Sequence, residues 1–115
     1  MAVREIYTGT ATVGTTELDL PTNTTTKSTL SNDGVYQLFL DLSNLTATEQ
    51  YTLKIYEKVL TTSTQRLVES ITFSGAQPEP VYVTPATLLM NGWTFTLTKN
   101  LGTDRSISWS IRQAT

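Results

Sequence analysis

A chain of 115 residues with eight Lys+Arg against ten Asp+Glu, a formal charge of −2 and no histidine or cysteine is sized for one domain around one core. Without imidazole or thiol it cannot build a Ser-His-Asp triad, a Cys nucleophile, a His general base or a His/Cys zinc cage, and it has no disulfide framework. Its basic residues form no cluster or stripe and no window approaches the roughly 18 apolar residues of a membrane span, so neither nucleic acid nor membrane is an expected partner.

In chain order, Val3 to Val13 is strand-forming but only weakly amphipathic, which predicts an extended N-terminal arm over residues 2–16 that can add to a neighbouring sheet. The first residues carry no charged region followed by an apolar stretch, so no secretion signal is expected. Glu17 to Leu20 is strand-like, and Asn23-Thr24-Thr25-Thr26-Lys27-Ser28 is polar enough to be an exposed loop. The Asn32-Asp33-Gly34 turn signal launches a strand with Tyr36, Leu38, Leu40 and Leu42 on one face. After the polar connection Ser43 to Gln50, residues Tyr51, Leu53, Ile55 and Val59 share one parity, and Thr52, Lys54 and Lys58 share the other. Tyr56 falls opposite the core parity and is expected to be exposed beside the lysines. A hairpin loop, Leu60 to Gln65, leads into the strand Leu67 to Phe73, where Glu69 interrupts the apolar parity at a rim or a bulge.

Three of the four prolines fall in Gln77 to Pro85, which predicts an extended, partly unpaired strand at a sheet edge. Leu88-Leu89-Met90 follows, and consecutive apolar residues cannot all point inward from a strand. They either close one end of the molecule or form an intersubunit patch. Trp93-Thr94-Phe95-Thr96-Leu97-Thr98 alternates rings and Leu with threonine, and Ser106-Ile107-Ser108-Trp109-Ser110-Ile111 does the same with serine. The Asn, Gly and Asp in Lys99 to Asp104 predict that the two are joined as a hairpin, with both indoles inward and the hydroxyls outward. Threonine occupies 24 positions, so these outward faces form much of the expected surface. The sum is an all-β domain, an antiparallel β-sandwich or jelly roll of about seven or eight strands with minimal helix.

No candidate catalytic or metal site survives comparison with its plainer alternative, and no cofactor is expected. Glu57 and Glu69 on adjacent strands are the nearest thing to a glycosidase carboxylate pair, but ordinary cross-strand pairing with Lys54 and Lys58 accounts for them. Asn32-Asp33-Gly34 lacks the alternating oxygen ligands and distant Glu of a calcium loop, and Gly9, Gly14 and Gly34 obey no phosphate-binding spacing. The Asn23-Thr24-Thr25 and Asn44-Leu45-Thr46 triplets match a glycosylation sequon without a delivering signal. The expected contact surface is therefore Pro78, Pro80, Val81, Tyr82, Pro85, Leu88, Leu89 and Met90, with Tyr56 as a separate exposed platform.

The run Leu40-Asp41-Leu42-Ser43-Asn44-Leu45-Thr46, continuing to Tyr51-Thr52-Leu53-Lys54-Ile55-Tyr56-Glu57-Lys58-Val59 and then Phe73-Ser74-Gly75-Ala76-Gln77-Pro78, resembles small virion proteins of tailed bacteriophages. That resemblance carries over no individual site residue. It implies a capsid decoration (cement) protein, made in the host cytoplasm and bound on the virion surface, often as a trimer, where it reinforces contacts between major capsid proteins. Head-fibre and tail roles belong to the same class. The competing expectation is a carbohydrate-binding β-sandwich or adhesin component that stacks sugars on Tyr56 and loop aromatics.

Overall fold

The computed structural model describes residues 2–114. Its strands are β1 (Val3–Val13), β2 (Leu18–Asp19), β3 (Gly34–Asp41), β4 (Gln50–Glu57), β5 (Arg66–Ser74), β6 (Val81–Val83), β7 (Thr87–Leu89), β8 (Thr94–Leu101) and β9 (Arg105–Ala114). Among the described residues there is no helix. One sheet runs β1-β9-β3-β6, with β7 also paired to β3, and the other runs β2-β8-β4-β5. Every pairing is antiparallel. Apart from the β4–β5 hairpin and the step from β6 to β7, each connection crosses from one sheet to the other. This rolled connectivity is that of a jelly roll, with β7 as an extra short strand. The strand total is nine rather than seven or eight because β6 and β7 are two pieces of one broken edge.

Period-two alternation builds the core. Tyr36, Leu38 and Leu40 of β3 with Ile107, Trp109 and Ile111 of β9 face Tyr51, Leu53 and Ile55 of β4 with Phe95 and Leu97 of β8. Both indoles point inward, as the alternation predicts. Trp93 packs against Tyr36 with ring centroids 4.4 Å apart, and its Nε1 donates to the Asn32 carbonyl at 2.9 Å. Trp109 Nε1 donates to the Leu20 carbonyl at 3.0 Å. Each buried ring thus keeps its one polar group satisfied.

Four expectations are corrected by this architecture. The arm over residues 2–16 is not free: β1 pairs along its length with β9 in its own sheet, with a bulge between Glu5 and Tyr7. The two aromatic strands near the C-terminus are not a hairpin, since β8 and β9 belong to opposite sheets. Both carry rings on their inner faces, which oppose one another across the core. Val59 lies beyond β4 and is 85% exposed, because that strand ends at Glu57. Thr94 and Thr96 do not face water. Glu17 and Asp19, on or beside β2, cover them and accept their hydroxyl protons, Thr94 Oγ1 to Asp19 Oδ1 at 2.5 Å and Thr96 Oγ1 to Glu17 Oε2 at 2.5 Å.

Candidate interaction surface

Prolines decide where the β3 edge is broken. Pro80 and Pro85 have no N–H to give to a ladder, so β6 and β7 are short and end near them. The chain is held to β3 instead through Thr84. Its N–H donates to the Leu38 carbonyl at 3.0 Å, its hydroxyl accepts from the Leu38 N–H at 2.9 Å, and its carbonyl accepts from Gln37 Nε2 at 2.9 Å. Leu42 N–H donates to the Pro80 carbonyl at 2.7 Å at the other end. The Pro-rich segment is an edge, as its composition predicts.

The expected contact residues separate. Pro78, Pro80, Val81 and Pro85 are exposed along this edge, and Leu88 and Met90 are 75% and 57% exposed. Leu89 is corrected: alternation turns it into the core, where it is 1% exposed. In the Leu88-Leu89-Met90 run, Leu89 closes the core while Leu88 and Met90 stay on the surface. Tyr82 is half-buried, its ring edge-on to Phe73 with centroids 4.8 Å apart. That contact ties the β6 edge of one sheet to the β5 edge of the other.

Tyr56 is a second correction. It is only 8% exposed and lies in the other sheet, so it joins neither a platform nor the proline edge. Its hydroxyl donates to Glu17 Oε2 at 2.6 Å, and Lys27 Nζ sits 3.9 Å from its ring centroid. Burial and the neighbouring Glu17 carboxylate push the phenol up to about 12. For Glu17, burial raises the pKa, but hydrogen bonds from Thr96 and Tyr56 with the charges of Lys54 and Lys27 outweigh it and leave the carboxyl below its ordinary value. The loop before β3, which looked too polar to pack, is what covers this ring.

Glu57 and Glu49 are used structurally. Glu57 Oε1 accepts from the Met90 and Asn91 N–H groups, so it orders the turn before β8 rather than pairing with Lys54 or Lys58. Among the described residues the ion pairs are Lys99–Asp104 and Arg105–Glu49. Glu69 is exposed opposite Ile55, beside the extra residue Val68 of a bulge, which answers why it breaks the apolar parity.

A surface the alternation argument overlooked lies on the outer face of the β1-β9-β3 sheet. The register aligns Val3, Ala114, Val35 and Leu88 in one row across four strands, and Gln37 beside Arg112 in the next outward row. Val3, Val35, Ala114, Gln37 and Arg112, with Phe39 and Ala86, line a mainly apolar groove of about 540 Å³. The Arg112 guanidinium lies 3.7 Å from the Phe39 ring centroid and its Nε donates to Ser110 Oγ at 3.2 Å. A shallower hollow of about 220 Å³, lined in part by Asp41, Val81 and Ser108, continues from the same Phe39–Arg112 pair. The signal was present: Val35 and Phe39 occupy the parity of β3 that should face water.

Comparison of the chain with protein-family models and with curated proteins gave no match.

Proposed function

We propose that this chain is a non-enzymatic structural component of a tailed-phage virion, a decoration protein that binds the major capsid protein lattice on the head surface as a homo-oligomer. The observation that carries this reading is where the large exposed apolar side chains fall. Most fall on edge strands, Val3 on β1, Leu67 and Val68 on β5, Val81 and Val83 on β6, and Leu88 and Met90 on or beside β7, while Val59 and Leu60 lie in the β4–β5 loop and Leu101 at the end of β8. Open edges with apolar side chains are suited to many weak contacts repeated by symmetry, because backbone groups and side chains can both be shared with a neighbour. Carbohydrate stacking loses its Tyr56 platform, since that ring is buried.

Co-sedimentation with shells assembled from the major capsid protein tests the reading. Saturable binding that is weakened by charged substitutions at Val68 and Val81 is the expected result. Absence of binding to shells, together with selective capture on a glycan array, overturns it.

A further inference from the structure

We propose that the groove on the outer face of the β1-β9-β3 sheet is the socket for the Gln77–Val81 bend of a second copy of this chain, with Glu79 of one copy paired to Arg112 of the next. The socket is apolar on most of its wall, through Val3, Val35, Phe39, Ala86 and Ala114, and carries a single cation. Arg112 is held flat on Phe39 and partly buried, so its position is fixed before any partner arrives. Among the described residues no carboxylate lies within ion-pair distance of it; Glu5, opposite it in the register, is linked to it only through the Ser110 hydroxyl. What fits is an apolar protrusion bearing one carboxylate.

The chain itself presents such a protrusion. Residues 78–79 form a bend, and Pro78, Glu79, Pro80 and Val81 are all exposed. Two prolines restrict the backbone, which lowers the entropy lost on docking. Gln77 Nε2 anchors the base of the bend to the Ser74 and Gly75 carbonyls at 3.3 and 3.0 Å. Glu79, at the apex, forms no ion pair among the described residues. Socket and protrusion adjoin at Val81 but do not coincide, so the contact is heterologous, and repeated around an axis it closes a ring.

This deepens the assembly reading but is measured without any capsid, so a failure to bind shells leaves it standing. The experiment is sedimentation velocity and native mass spectrometry of the full chain. The expected species is a discrete multiple of the 12.7 kDa protomer. Glu79→Arg and Arg112→Glu should each weaken association about a hundredfold. The double variant should regain it, because the pair is re-formed with its signs exchanged. Glu79 is fully on the surface, so Glu79→Arg keeps the fold, which circular dichroism checks. A wild-type chain that stays monomeric at its highest soluble concentration overturns the proposal. So does an oligomer indifferent to both charge reversals, or one that the double variant fails to restore.

Discussion

Gly9 lies directly opposite Trp109 across the β1–β9 ladder, and the indole occupies the space where a side chain would stand. A Cβ on Gly9 would be 2.8 Å from Cε2 and 3.0 Å from Cη2, and nearer still to Cζ2. The ring cannot retreat, because its Nε1 is bonded to the Leu20 carbonyl in the core. Gly9→Ala should therefore destabilise the fold by about 1–3 kcal/mol through overpacking. Urea unfolding followed by Trp fluorescence measures this, and a cost below about 0.5 kcal/mol would show that the ring has room to move.

Asp19 should be the most sensitive polar position. Its buried carboxylate accepts from Thr22 N–H and Oγ1 through Oδ2, and from Ser28 N–H, Ser28 Oγ and Thr94 Oγ1 through Oδ1. These bonds hold the polar loop down over β8. Asp19→Asn replaces one acceptor oxygen by a donor facing other donors, at a cost of about 1–3 kcal/mol. Hydrogen exchange at the Ser28 amide should accelerate more than exchange in the β3 core.

Acid should loosen the link between Glu49 and Arg105. Hydrogen bonds from Thr48, from the Thr46 amide and from Arg105 hold the Glu49 carboxyl far below the ordinary value of 4.5. A depressed pKa gives stability that is complete above the unfolded value and lost as pH falls below it. Glu49→Gln should be less stable than wild type at neutral pH, and its melting temperature should fall less steeply than that of wild type below pH 4.5. Parallel curves for the two proteins would contradict this.

At the alkaline end Tyr56 sets a second window. Its raised value of about 12 means the folded state keeps the phenolic proton longer than the unfolded chain does, whose value is 10.0. The associated stability is complete below 10.0 and is lost as pH rises toward about 12. Ultraviolet titration should show one less tyrosinate forming in this range in Tyr56→Phe than in wild type only near the upper end.

Adjacent leucines should behave oppositely. Leu89→Ala opens a cavity in the core and should cost about 2–5 kcal/mol, whereas Leu88→Ala, on the outer face, should change protomer stability by about 0.5 kcal/mol or less. Comparable costs would mean that β7 does not hold the register observed with β3.

The proline edge was legible in the residues, because a missing N–H is a local property that no distant contact repairs. The groove was not, although Val35 and Phe39 signalled it, because its other walls come from β1, β9 and Ala86, far away in the chain. Tyr56 misled for a related reason. Its parity was read correctly as the outer side of β4, but parity says nothing about a loop that later folds across that side.

Alternation along the chain alone determined that this protein is all-β, that its indoles turn inward and that Gln77 to Pro85 lies at an edge, since strand periodicity and proline chemistry act within a few residues. The tertiary structure decided which strands share a sheet, sending β8 and β9 to opposite layers, and which polar faces stay wet. Those outcomes depend on how apolar faces pair across the core and on where buried Asp19 finds hydroxyl donors. Both are contacts between residues far apart in the chain, and no local pattern encodes them.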